Sequence, residues 1–291
     1  MIYVIMGPTA SGKSNAAHAL AKYFDCPIIN ADAFQIYKGM DIGTNKVSKD
    51  DENYSRYHLL DIVEPDKTYS VMEYQQAFRE TLKQLQKQYK NIVVCGGTGL
   101  YIRAATYDYE FLKEDALDET YDNLSNEELH SLLEKLDEKE AEKIHQNNRK
   151  RMIRAINLIN KSGESKSSLL DKQEHKPIFN DNEIKFLFIN PDRETLYENI
   201  NKRVDEMFDN GLLEEVKELL NKYDLSMTAR QGIGYKEVIS YLQNEISLDE
   251  CKELIKKRTR NYAKRQVTFF KHQFVFCEFE TYQKLVDNYL P

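Results

Sequence analysis

Three features of the sequence predict an α/β fold, with a parallel sheet flanked by helices and an all-helical insertion. First, a short apolar run from Ile2 to Met6 leads into a glycine loop and then a helix-like stretch. Second, further apolar runs near 26–30, 57–62, 91–95, 185–190 and 273–279 alternate with segments of helical periodicity. That alternation is the pattern of strands covered on both faces. Third, the stretch 108–179 is acidic, helical by pattern and free of strand-like runs.

The elements follow in order. Residues 13–24 read as the helix after the first strand, and Cys26 to Asn30 as the second strand. Tyr57 to Ile62 reads as a third. Residues 72–89 form a helix whose apolar positions are Met72, Phe78, Leu82 and Leu85. Asn91 to Cys95 is a buried strand ended by Gly96-Gly97. The core is expected over 1–107 and 180–291. The insertion, 108–179, is expected to act as a lid, with a polar loop at 162–176. Residues 193–222 and 247–272 are helical by pattern.

Composition narrows the function classes. The chain has 291 residues and a net charge of −7. No apolar run approaches the ~18 residues of a membrane span, and no leader pattern precedes the glycine loop, so a cytoplasmic monomer without a membrane partner is expected. Cysteines at 26, 95, 251 and 277 make no metal-binding spacing, and Cys95 and Cys277 read as core. The charge is unevenly spread. Residues 110–142 hold 13 acids and 3 lysines, whereas 252–272 hold eight Lys/Arg against one Glu. A polyanion responds to that local patch, not to the total.

Three segments carry chemistry. Gly7, Pro8, Thr9, Ala10, Ser11, Gly12, Lys13 and Ser14 fit the phosphate-loop pattern G-x-x-x-x-G-K-[ST], between a strand and a helix as that motif requires. The core is therefore P-loop NTPase-like. Backbone N–H groups and the helix N-terminus favour phosphate, Lys13 neutralises its oxygens, and Ser14 can reach Mg²⁺. A small-molecule kinase, an NTPase and a prenyltransferase all remain open at this point. Asp32 follows the second strand, where ligands sit in open α/β sheets; it suits a base or a water-mediated metal ligand, or it caps the next helix. Phe34 and Tyr37 are expected to pack. Thr98, in the loop Gly96-Gly97-Thr98-Gly99, suits hydrogen bonding to a phosphate oxygen.

Taken together, GPTASGKS at 7–14, ADAFQIY at 31–37, GMDIGTNK at 39–46 and GGTGLYIRA at 96–104 resemble the bacterial tRNA dimethylallyltransferase (isopentenyl-tRNA transferase) family. HQNNRKRMIRAIN at 145–157, RVDEMFDNGLLEEV at 203–216, QGIGYKE at 231–237 and TRNYAKRQVTFFK at 259–271 extend that resemblance over nearly the whole chain. It implies transfer of a dimethylallyl group from its diphosphate to the exocyclic amine of the tRNA adenosine 3′ of the anticodon. It also implies that residues 7–14 hold the diphosphate with Mg²⁺, that Asp32 is the base, that Thr98 contacts the reaction centre, and that Arg203 steadies the leaving diphosphate. On the anticodon stem-loop side it implies Asp32, Ala33, Phe34, Gln35 and Thr98, then Lys150, Arg151, Met152, Ile153 and Arg154, and finally Gln231 and Gly232. The basic helix adds Arg258, Arg260 and Lys264; Lys256, Arg260 and Lys264, four apart, predict one positive face. The chain departs from the family in having no Arg between Arg103 and Arg149, Asn147-Asn148 for an Asn-Asp pair, and Phe269-Phe270 for Trp-Phe. Transfer to free adenine nucleotides would not need the basic segments. A small-molecule kinase or a non-catalytic RNA-binding protein leaves one or another of these features without a purpose.

Overall fold

A computed structural model describes residues 1–109, 111, 121, 123–162 and 176–290. The chain divides into two compact units, Met1–Thr106 with Phe179–Pro291, and Tyr107–Ile178.

The first unit is built on a six-stranded sheet: β1 (Ile2–Met6), β2 (Ile28–Asn30), β3 (Tyr57–His58), β4 (Ile92–Gly96), β5 (Ile184–Ile189) and β6 (Cys277–Phe279), in the order β3-β2-β4-β1-β5-β6. Every pairing is parallel, with Ile5 opposite Cys95 on one side and Leu187 on the other. Strands β1 and β4 are buried at every position, which explains why they read as unbroken apolar runs and not as alternating ones. Helices α1 (Lys13–Tyr23), α2 (Val71–Leu85) and α3 (Gly99–Thr106) follow β1, β3 and β4. Helix α2 starts at a reciprocal cap between Ser70 and Glu73.

β2 begins two residues into its apolar run, and β3 and β6 fall shorter still of theirs. β3 stops at His58 because Leu59 and Asp61 take positive φ, 61° and 51°, which no strand accommodates. β6 begins only at Cys277, because the preceding helix runs through Gln273. Cys95 is buried as expected, but Cys277 is exposed and is not a core residue.

The second unit carries α4 (Asn126–Leu136), α5 (Glu138–Lys143) and α6 (Arg149–Ser162). Their apolar faces close over Leu129, Leu133, Ile144, Met152, Ile153 and Ile156. That packing corrects one expectation: Met152 and Ile153 are buried in this small core, so their side chains do not face a nucleic acid. Lys150, Arg151 and Arg154 are on the exposed face of the same helix. Most of the polar loop expected at 162–176 lies outside the described residues.

The remaining helices belong to the first unit: α7 (Arg193–Asp209), α8 (Leu212–Lys222), α9 (Met227–Arg230), α10 (Tyr235–Leu242), α11 (Leu248–Gln273) and α12 (Tyr282–Tyr289). The sequence reading anticipated α7, α8 and α11 but not the short α9, α10 and α12. No described helix is long and apolar enough to cross a membrane.

Candidate active site

Strand order brings three loops to one edge. β2, β4 and β1 are neighbours, so the turns leaving their carboxyl ends, at 31–37, 97–99 and 7–14, lie side by side, where open α/β sheets bind ligands.

The phosphate loop is shaped by close approaches. A Cβ at Gly7 would lie 2.4 Å from the carbonyl oxygen of Ile189. Gly12 has φ +88°, a conformation that favours glycine. Lys13 Nζ donates to the Pro8 carbonyl at 2.6 Å. Burial draws its pKa down to about 8, against the opposing influence of Cys95 and Asp32. Arg203, on α7, donates to Thr9 Oγ at 2.8 Å; burial lowers its pKa to about 10, with Asp32 opposing. Arg203 Nε and Ser11 Oγ are buried with no hydrogen-bond partner. Orphaned donors beside two poorly hydrated cations are what a site for a polyanion requires.

Asp32 caps the turn that follows β2, where no helix begins. One oxygen caps its own turn, accepting from Phe34 N at 2.9 Å, and Asn30 holds it from behind. The other oxygen, Oδ2, faces the second glycine loop, 3.8 Å from where a Cβ on Gly97 would stand. Thr98 Oγ accepts from Ala33 N at 3.0 Å and Thr98 N donates to Ala31 O, so the two loops are laced together. Phe34 packs against Gly232, and Tyr37 is fully buried, as packing residues. Gln35 Nε2 donates to the carbonyls of Thr44 and Asn45, 3.1 Å each. Arg203 also lines a cavity of about 400 Å³ together with Lys46, Lys49, Asp41, Asp61 and Asn45.

Two groups of residues escaped the sequence reading. Glu215 receives the backbone N–H groups of Asp41, Ile42 and Gly43 and the Tyr235 hydroxyl, fixing the 39–46 loop. Gln266, buried on α11, accepts from Thr9 N at 2.9 Å and donates to Gly97 O at 2.8 Å. It therefore ties the phosphate loop to the second glycine loop. Tyr262, one turn earlier on the same helix, is partly buried, and that burial pushes its pKa up, with the charge of Asp32 adding to the rise. The available signal was that these two polar residues lie four apart in TRNYAKRQ, on a different face from the basic residues that drew attention.

The basic face of α11 is also less free than its spacing suggests. Lys256 is paired with Asp205 and Glu253. Arg258 is paired with Glu237, which is buried. Arg260 donates to Asn201 and lies over the Tyr197 ring. The continuous positive stripe expected from Lys256, Arg260 and Lys264 is thus reduced, and Lys264 is its exposed member. Gln231 is exposed and Gly232 buried.

A parallel sheet with a phosphate loop, a facing acid and a second glycine loop has the make-up of a site for a phosphorylated ligand. The IPP transferase family model matches residues 35–273, and the chain belongs to that family. It is 40% identical over 281 residues to the "tRNA dimethylallyltransferase" of Clostridioides difficile (strain 630), covering 93% of this chain and 88% of the relative. It is 42% identical to the protein of the same name from Finegoldia magna, covering 92% and 87%. Among solved structures, the tRNA delta(2)-isopentenylpyrophosphate transferase of Staphylococcus epidermidis matches with a TM-score of 0.72 at 35% identity, over 99% of this chain and 96% of that one. A eukaryotic dimethylallyltransferase described as acting on tRNA matches with a TM-score of 0.83 at 27% identity, over 98% and 75%.

Proposed function

We propose that this protein transfers a dimethylallyl group from dimethylallyl diphosphate to the exocyclic amine of the tRNA adenosine next to the anticodon on its 3′ side. The observation that carries the reading is the pair Lys13 and Arg203, half-buried cations with an orphaned Arg203 Nε and Ser11 hydroxyl beside them. They face a carboxylate, Asp32, across one sheet edge in a chain of this family.

The bonds balance simply. The adenine nitrogen attacks the first carbon of the prenyl group, the carbon–oxygen bond to diphosphate breaks, and the nitrogen's proton passes to Asp32. An aromatic amine is a weak nucleophile and allylic diphosphate a good leaving group, so the protein's task is to hold the two in line and stabilise departing charge. Residues 7–14 bind the diphosphate, Lys13 and Arg203 take up its growing charge, and Thr98 donates to its oxygens. Bound Mg²⁺ would supply further charge neutralisation. Ser14, at the start of α1, would hold it from the protein side; the described residues include no cluster of three or more His, Cys, Asp or Glu for a protein-only site. The adenosine must leave its stack to reach Asp32, as in other base-modifying enzymes, and a single-stranded loop permits that. Residues 32–35 receive it. Lys150, Arg151, Arg154, Gln231, Arg260 and Lys264 contact the stem-loop, and the 108–179 unit serves as part of the tRNA-binding surface.

The test is transfer of labelled dimethylallyl from its diphosphate, with Mg²⁺, to unmodified tRNA in the presence of AMP and ATP. Label in the tRNA alone is expected. Label in the free nucleotides would make this a small-molecule prenyltransferase, and label in neither would remove prenyl transfer altogether.

A further inference from the structure

Helix α11 meets the site at two glycines. A Cβ on Gly97 would lie 2.4 Å from Gln266 Nε2, and a Cβ on Gly99 would lie 2.3 Å from the Phe269 ring. Thr98 is held between them. The acceptor side of the site is tied within itself, because Thr98 bonds to the backbone of Ala31 and Ala33 and a Cβ on Gly96 would stand 2.1 Å from the Ala31 carbonyl oxygen. The second glycine loop and the Asp32 turn therefore hold one shape. The donor side is tied in the same way, with Arg203 bonded to Thr9 Oγ in the phosphate loop. Gln266 bonds to both sides. Its carbonyl oxygen accepts from Thr9 N at 2.9 Å, and its amide nitrogen donates to Gly97 O at 2.8 Å. The side chain is buried, so water does not compete for either bond. It also spends the Thr9 N–H on the protein, where other N–H groups of such a loop turn to phosphate.

We propose that Gln266 is a positioning residue for prenyl transfer, setting the distance from Asp32 and Thr98 to the phosphate loop and Arg203. The inference rests on the proposed function, and Gln266 acts through the two loops without touching substrate. In-line displacement needs the attacking nitrogen and the leaving diphosphate on one axis, and a misplacement of about 1 Å costs on the order of 10² in rate. A primary amide suits the task, because it accepts and donates from one flat group whose two ends are fixed in direction. A carboxylate would turn an oxygen toward the Gly97 carbonyl, and a thioether would hold neither loop.

Transfer and binding measured together test it. Gln266→Met keeps the length of the side chain and loses both bonds; it is expected to lower kcat about 10²-fold while tRNA Kd stays within about two-fold. Gln266→Glu gives the second readout and decides the matter should the first variant not fold. Its carboxylate cannot donate to Gly97 O, but its protonated carboxyl can, with the carbonyl oxygen still accepting from Thr9 N. Burial raises a carboxyl pKa toward neutrality. Transfer by this variant relative to the unmutated protein should therefore rise about ten-fold or more as pH falls from about 9 to about 6. The charged groups around the two loops, Asp32, Lys13 and Arg203, are present in both proteins, so the ratio cancels their titration. Near-normal kcat in Gln266→Met, or a flat ratio for Gln266→Glu, would overturn the inference. If the unmutated protein forms no prenylated tRNA, the proposed function fails; if it does and Gln266→Met matches it, only this inference fails.

Discussion

Lys13 and Lys46 are two lysines held close to the protein interior, and their surroundings differ in kind. Lys46, with its side chain 1% exposed, is matched by Asp41 at 2.6 Å, Asp61 at 2.7 Å and the Tyr37 carbonyl at 2.6 Å. Lys13 has one carbonyl, that of Pro8, and no carboxylate within ion-pair distance among the described residues. The first charge is satisfied by the fold. The second is left under-satisfied, with Ser11 Oγ and Arg203 Nε orphaned beside it. A charge the protein balances itself is architecture, and one it leaves unbalanced marks where a ligand completes the count.

Substitution should separate the two most sharply. Lys13→Ala is expected to reduce kcat/KM for the prenyl diphosphate by about 10³ or more, with little change in thermal stability, since it removes a desolvated charge whose partner is the substrate. Lys46→Met should do the reverse, costing about 3 kcal/mol of stability by stranding Asp41 and Asp61, with kcat of the folded fraction held within a few-fold. Equal melting temperatures for the two variants would erase the distinction. Asp32→Ala belongs with Lys13: transfer should fall by about 10²–10⁴, the worth of a positioned base, while tRNA Kd is retained. Near-normal transfer by that variant would remove Asp32 from the mechanism.

Titration gives a smaller effect with a definite sign. Burial lowers the Lys13 pKa to about 8, so the free enzyme loses this positive charge as pH rises through that value. kcat/KM for the donor, which reports the free enzyme, should therefore decline above about pH 8. Binding of tRNA alone should not follow that curve. A profile flat to pH 10 would mean Lys13 keeps its charge and the buried environment is wetter than the geometry implies.

The same contrast explains what the sequence disclosed. The phosphate loop is a local pattern: its glycines, Lys13 and Ser14 fall within eight residues, and their geometry follows from a strand on one side and a helix on the other. Asp32 and Thr98 were legible because each follows a strand whose apolar run marks where the sheet edge must be. Gln266 and Glu215 were not, because their partners are backbone groups far away in the chain. Gln266 meets Thr9 across 257 residues and Glu215 meets Ile42 across 173. An amide or carboxylate on a polar helix has no local signature of such a bond. Met152 and Ile153 failed for a related reason: a basic motif was taken as one surface, although helical periodicity turns its apolar members inward.

Helix α11 applies the distinction to a surface. Arg258 resembles Lys46, since its guanidinium closes on a buried carboxylate, Glu237, that also caps the N–H of Gly234. Lys264 is exposed, with no ion pair among the described contacts, and stands on the helix whose charge suits a phosphate backbone. Lys264→Gln should leave stability unchanged and reduce the slope of log Kd for tRNA against log salt by about one, the mark of one lost phosphate contact. Arg258→Gln should leave that slope alone and lower stability by about 2–3 kcal/mol, because Glu237 stays buried without its cation. If Arg258 instead carries the salt dependence, its pairing with Glu237 must open when tRNA binds, and the carboxylate becomes a competitor for the guanidinium in place of a fixed partner.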